Sequence, residues 1–275
     1  MMFSSKNMSY IYYHEYFEGL EERKEKSGLV YELGRQKKSS EEQFRDRNMA
    51  LQDFKFDLSL SPLEHLKNAS KDASKGVASV QTFSLETIYP GLMIGTGNPH
   101  DLKSKGSIYS GFSFDYVTGL PYILGSSVKG VLKSVFPRKE DTKDDINQQK
   151  MEYIKSLLKP GLSDEAVYGL KDDIFEDNDV FLDAYPCPTS KKNTKQRCLA
   201  LEFITPHSDI IKNPIPINCL KVKPGISFEF GFYLKDCQLS DGVQITVKEK
   251  IELFKTILTD VGIGAKTNVG FGQLE

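Results

Sequence analysis

The sequence predicts an α+β fold, with helices packed on an antiparallel or mixed sheet rather than a doubly wound parallel one. Three observations predict it. Ile226, Phe228, Phe230, Phe232 and Leu234 fall on one face with strict period 2, the strongest strand signature in the chain. Two segments carry helical apolar stripes: Val128, Val131, Leu132, Val135 and Phe136 in one, Ile251, Phe254, Ile257, Leu258 and Val261 in the other. Strands and helices alternate, yet two of the strands read as a hairpin, which a doubly wound fold does not use.

The elements follow in order. Tyr12, Tyr16 and Leu20 keep a helix-like spacing until the EERKEKSG run breaks it. Val30–Leu33 and Ser40–Asp53 read as further short helices, and 68–76 (NASKDASKG) as a mobile connector. The character changes at Val80, so residues 1–79 are expected to form a helical extension packed on a core of residues 80–275. Phe83, Leu85, Thr87 and Tyr89 alternate as a half-buried strand that runs into the turn-rich GLMIGTGNP. Pro121 and Gly125-Ser126-Ser127 introduce the first striped helix, with Ser126 or Ser127 as its N-cap and Pro137 as its stop. Glu140–Lys150 reads as a solvated linker into a helix at Met151–Leu158. Phe175–Cys187 and Arg197–Thr205 read as a long hairpin, an insertion around 175–205 with TSKKNTKQR at its tip. The final helix, Lys248–Asp260, delivers the chain to VGIGAKTNVGFGQLE.

Composition narrows the function. In 275 residues the formal charge is −2, so any nucleic-acid contact must come from local basic patches. The N-terminal residues hold no apolar run behind a basic start, so no signal peptide is expected, and no run of about 18 apolar residues points to a membrane span. Cys187, Cys198, Cys219 and Cys237 never approach a C-x-x-C spacing, so packed, reduced thiols are expected rather than a zinc site. These readings place the protein in the cytoplasm, without cofactor or metal.

The C-terminal glycines, Gly262, Gly264, Gly270 and Gly272, surround Lys266 in a G-x-G-x5-G-x-G pattern. This is not a dinucleotide fingerprint, which opens a βαβ unit and needs a second strand downstream, and no G-K-[ST] makes it a P-loop. It suits a loop lying against something anionic and bulky, with a loop packed under the sheet as the lesser alternative. Together with PYILGSSVKGVLKSVF at 121–136, it resembles the RAMP superfamily of CRISPR-associated proteins. YIYYHEYFEGL, IGTGNP, VFLDAYP and LEFITPHSD…NPIPI…LKVKPG make it similar, within that superfamily, to the sixth-subunit group of type III-B (Cmr) effector complexes.

The resemblance implies a ferredoxin-like (RRM-like) βαββαβ core and a non-catalytic RNA-binding subunit of a cytoplasmic ribonucleoprotein for antiviral defence. Such a subunit grips the guide RNA backbone near its 3′ end and contributes to target RNA binding. Its implied partners are guide RNA, target RNA, RAMP backbone subunits and small helical subunits. Ser126, Ser127 and Lys129 at a helix start would hold a phosphate. Gly264, Lys266, Thr267 and Asn268 would donate to phosphate oxygens. Lys191, Lys192, Lys195 and Arg197 at the hairpin tip would press on the guide–target duplex, or form only a soluble loop. Thr96, Asn98, Lys103 and Lys105 complete a basic rim. Some RAMP relatives cut RNA, with a histidine base or a metal-assisted aspartate after the first strand. Here His100 and Asp101 stand there, at a spacing unlike that of the cleaving relatives and with no second acid or metal ligand close to Asp101; His14 and His207 are the other bases weighed, His207 reading as a turn residue after Thr-Pro, so no catalytic residue is expected. An endoribonuclease and a pure assembly subunit are the competing readings.

Overall fold

The computed structural model describes residues 2–25, 28–34, 38–70, 79–97, 104–141, 144–159, 161–190, 194–205 and 216–275. In chain order these form α1 (Met8–Tyr13), β1 (Leu20–Glu25), β2 (Gly28–Leu33), α2 (Ser40–Asp53), β3 (Phe56–Asp57), α3 (Pro62–Ser70) and β4 (Gln81–Glu86). There follow α4 (Gly125–Val135), α5 (Asp145–Leu157), α6 (Asp164–Asp172) with a π-helical turn at Asp173–Asp177, β5 (Val180–Phe181) and β6 (Tyr185–Pro186). The remainder are β7 (Lys195–Gln196), β8 (Leu199–Ile204), β9 (Ile217–Val222), β10 (Ser227–Tyr233), β11 (Cys237–Gln238), β12 (Gln244–Ile245) and α7 (Val247–Val261). The fold is α+β.

The aromatic strand β10 lies at the centre. It pairs antiparallel with β4 on one side and with β5 and β6 on the other. The C-terminal tail adds to the free edge of β4: Glu86 and Glu275 exchange backbone bonds of 2.8 and 3.0 Å, and Thr87 bridges Leu274. The strand order is therefore tail, β4, β10, β5/β6. One face of this sheet carries Phe228, Phe230 and Phe232, all at most 1% exposed, beneath α7, whose Phe254 packs on Phe232 and Phe181 at 5.3 and 5.6 Å. The other face is also covered. Gly231 lies under Leu63 of α3, where a Cβ would approach Leu63 Cδ2 to 2.6 Å, and Lys67 of α3 donates to Glu229 at 2.7 Å. The sheet is a middle layer.

The N-terminal residues enter the same hydrophobic core. Met8, Ile11, Tyr12, Tyr16 and Phe44 are buried in one continuous cluster with the sheet residues. The Tyr16 hydroxyl donates to Asn48 Oδ1 at 2.6 Å and accepts from the Ile108 N–H at 2.8 Å, tying α2 to the segment after β4. A second buried polar group joins α7 to the π turn. Lys250, with no exposed side-chain surface, donates to Asp173 Oδ2 and Asp179 Oδ2 at 2.7 Å each. Burial pushes its pKa down, but the hydrogen bonds to both carboxylates outweigh that and hold it above the ordinary lysine value.

Several sequence expectations are corrected. Val30–Leu33 lies in β2, paired with β1 from Leu20↔Leu33 to Glu25↔Gly28, because cross-strand pairing of two six-residue runs overrides a weak helical pattern. The long hairpin of 175–187 with 197–205 does not form. Phe175 belongs to the π turn, β5 and β6 join β10, β7 pairs with β3, and β8 pairs over six residues with β9. Alternation reveals which face of a strand is apolar but not which strand lies beside it. Within the expected connector, α3 continues to Ser70, and 71–78 lie outside the described residues. Within the expected linker, α5 starts at Asp145, its Ile146 N–H bonded by Asp144 at 3.3 Å. Sequence reading passed over α6. By contrast α2 keeps its expected bounds and α7 starts and ends one residue beyond its own, each opened by a capping box, Ser39/Glu42 and Thr246/Glu249.

Candidate nucleic-acid interface

The glycine loop is held first by the chain's own backbone. Gly272 has φ +73°, and a Cβ on it would stand 1.8 Å from the Ile263 carbonyl oxygen. Gly264 has φ +95°, and its Cβ would stand 2.5 Å from the Met93 carbonyl oxygen. These approaches allow Ile263 N–H to Gly272 O at 2.9 Å, Gly272 N–H to Gly91 O at 2.8 Å and Ala265 N–H to Met93 O at 2.9 Å. The glycines at the loop's base therefore serve close packing rather than a flat outer surface. The tip differs. Lys266 takes a left-handed conformation (φ 62°) and opens a short turn at Thr267–Val269. Lys266 and Asn268 are exposed there and Thr267 is half-buried.

Three separated segments meet beside this loop in a groove of about 630 Å³. Gly264 and Ala265 form one wall, and Gly95, Thr96 and Gly97, following β4, form another. The third is the α4 face Ser127, Gly130, Val131 and Ser134, an i, i+3, i+4, i+7 set. Ser113, Tyr122 and the apolar residues Met93, Ile94, Ile123, Leu124 and Ile263 complete the lining, and among the described residues no charged side chain faces the groove. Thr96, Ser127 and Gly264 are thus brought together, with Lys266 next to Ala265 at the outer end of the loop.

Other candidates are placed elsewhere. The α4 helix starts at Gly125 with Leu124 as its cap residue, so neither Ser126 nor Ser127 is the N-cap. Asp183 of the VFLDAYP run accepts the Gly125 N–H at 2.7 Å. A carboxylate of the chain itself therefore occupies the position where a phosphate was expected at this helix start. Lys129 turns from the groove face, its Nζ 5.9 Å from the centre of the Phe181 ring, while Ser126 is exposed without lining the groove. Lys195 is exposed in β7 and Arg197 pairs with Asp53 at 3.4 Å, neither on the groove. Lys105 pairs with Glu41 at 2.8 Å. Asn98, His100, Asp101, Lys103, Lys191, Lys192 and His207 lie outside the described residues. His14 is exposed and stacks on Tyr10.

Sequence reading missed Ser113, Tyr122 and Ser134 as groove residues and Asp183 as the helix-start anion. The small-residue face Ser127-x-x-Gly130-x-x-x-Ser134 was the one available signal. Among the described residues no three His, Cys, Asp or Glu side chains gather as a metal set, and no helix is long and apolar enough to cross a membrane. Of the cysteines, Cys198, Cys219 and Cys237 are buried, and burial pushes the Cys198 thiol up to about 12.

Comparison with known proteins gives three findings. The family model of the RAMP superfamily matches residues 84–275. The CRISPR system CMR subunit Cmr6 of Saccharolobus solfataricus is 30% identical over 172 residues, covering 60% of this chain and 48% of the relative, so the match spans about half that relative's length. Among solved structures, a chain of the type III-B Cmr-beta complex bound to cognate target RNA aligns with TM-score 0.54 at 24% identity, over 88% of this chain and 76% of that one. Cmr6 from Pyrococcus furiosus aligns with TM-score 0.43 at 21% identity, over 71% and 96% of the two chains.

Proposed function

The chain belongs to the RAMP superfamily, and from that membership we propose that it is a non-catalytic RNA-binding subunit of a type III-B (Cmr) CRISPR ribonucleoprotein, gripping the guide RNA backbone near its 3′ end. Target RNA, RAMP backbone subunits and small helical subunits are its further partners, and the cytoplasm its compartment. The observation that carries this reading is the groove where Thr96, Ser127 and Gly264 converge beside Lys266. Hydroxyls and glycine backbone can follow a sugar–phosphate chain without reading bases, and one exposed lysine supplies a cation. We read the order tail, β4, β10, β5/β6, with α4 and α7 as crossovers, as a ferredoxin-like core. Because α3 covers the sheet face that RRM proteins use for stacking, RNA is assigned to the groove at the sheet's end.

The groove gives a direct test. Ser127 is exposed, so Ser127→Glu adds a carboxylate without opening a cavity. At about 6 Å from a phosphate and an effective dielectric of about 40, the repulsion is about 1.4 kcal/mol, about tenfold in affinity. Lys266→Ala should reduce the slope of log affinity against log salt by about 1. Filter binding of guide RNA to reconstituted complexes reads both; unchanged affinity and slope would refute the groove. Incubation with repeat and target RNA, with and without magnesium, tests the non-catalytic part, and cleavage by the purified chain would overturn it.

A further inference from the structure

A row of exposed aromatic side chains continues from the groove. Ser113 and Tyr122, on its floor, are the base of a small hairpin: Tyr122 N–H bonds Ser113 O at 3.2 Å, Phe114 bridges Pro121, and Asp115 N–H bonds Leu120 O at 2.8 Å. The tip of that hairpin presents Tyr116 and Val117, 85% and 82% exposed. An isolated exposed tyrosine needs no explanation, but this turn is pinned from both sides. Asp115 Oδ1 accepts from Thr118 N and Oγ1 at 2.6 Å each, and Asn7 Nδ2 donates to the Tyr116 and Val117 carbonyls at 3.0 and 3.1 Å. Asn7 also caps α1, accepting the Tyr10 N–H at 3.1 Å, so α1 and the tip are fixed to each other. On α1, Tyr10 is 52% and Tyr13 41% exposed, and the Tyr13 hydroxyl donates to the carbonyl of Phe112, the residue before Ser113. Tyr10 already stacks on His14, centroids 5.0 Å apart and planes at 26°.

We propose that Tyr10, Tyr13 and Tyr116 form a stacking platform for bases of single-stranded RNA whose backbone runs through the adjacent groove. The inference rests on the reading of the groove as an RNA site and adds where the bases go. The accessible hydroxyls and glycines of the groove, Thr96, Gly97, Ser127, Gly130 and Gly264, lie over buried apolar side chains and would hold sugar and phosphate with the bases outside; an aromatic ring accepts any base by its π face, as sequence-independent binding requires. Pinning the turn removes the ordering cost that a flexible aromatic would incur on binding. The one acid in the turn is already engaged: Asp115 Oδ2 accepts from the Tyr185 hydroxyl at 3.4 Å while Oδ1 serves the turn. The turn itself thus offers rings and no unengaged carboxylate.

The test uses the full chain in its reconstituted complex, with guide RNAs carrying 2-aminopurine at successive 3′ positions. Tyr116→Ala should lower RNA affinity about 5- to 160-fold, abolish quenching at one position and leave the salt slope unchanged, since a stacked ring and no charge is lost. Tyr116→Phe should behave as the parent. Three outcomes overturn the platform: no quenching at any position with the parent chain, unchanged affinity and quenching in Tyr116→Ala, or RNA binding retained while assembly with the other subunits fails, which would make the row a protein-docking surface. Ser127→Glu tests the groove alone. Its failure with a positive Tyr116→Ala result separates the groove reading from this one.

Discussion

Alanine at Gly272 and at Gly270 gives a paired measurement of what holds the C-terminal loop. Both positions have positive φ, +73° and +94°, where an L-residue costs about 1–2 kcal/mol. They differ in space. At Gly270 the nearest atom to a new Cβ is Pro90 Cδ at 3.6 Å, an ordinary contact, whereas at Gly272 it is the Ile263 carbonyl oxygen at 1.8 Å. Gly272→Ala must therefore separate the two loop arms and lose the Ile263–Gly272 and Gly272–Gly91 hydrogen bonds. At about 0.5–1.5 kcal/mol each, the excess over Gly270→Ala is about 1–3 kcal/mol. Urea denaturation reads it as a lower midpoint at unchanged slope. RNA affinity should fall in the same order, because the Gly264 wall moves with the arm. Equal midpoints for the two variants would refute the claim that backbone approach, rather than chain flexibility, requires this glycine.

Two further outcomes test the core. Lys250→Met leaves Asp179 and Asp173 facing each other without a cation and should cost about 3–5 kcal/mol at neutral pH. Burial already raises the Asp179 carboxyl, opposed by the bond from Lys250. Without the lysine its folded pKa rises further, so the folded variant takes up protons more readily than its unfolded chain. The deficit should then be largest above that folded pKa and shrink as pH falls through it, so denaturation at pH 8 and pH 5 giving the same deficit would count against the buried triad. Tyr16→Phe strands Asn48 Oδ1 and the Ile108 N–H and should cost about 2–4 kcal/mol; a loss below about 0.5 kcal/mol in thermal unfolding would show that α2 is not tied to the core through this hydroxyl.

The legible parts of the fold were those written in local periodicity. The alternation at 226–234 and the stripes of 128–136 and 251–261 named the faces that β10, α4 and α7 bury, and the bounds read for α2, Ser40–Asp53, are those it takes. The hairpin at 175–205 was misread because Phe181, Tyr185 and Leu199 signal strands equally well whichever neighbour accepts them. Their partners, β10 and β9, lie in later sequence. The site divides the same way. Glycine spacing marked the loop, but whether Gly272 faced RNA or Ile263 depended on where β4 placed Gly91 and Met93.

By itself the sequence determined which residues turn inward, where two helices begin, and that an exposed lysine would sit among glycines at the C-terminus, because period and capping are properties of neighbours along the chain. Tertiary structure alone decided that Thr96, Ser127 and Gly264 share one groove, that Lys129 leaves it for Phe181, and that the α4 start is occupied by Asp183, 58 residues away. Hydrogen bonds and charges are satisfied by whatever the fold brings within about 3 Å, and that distance is set by packing rather than by order in the sequence.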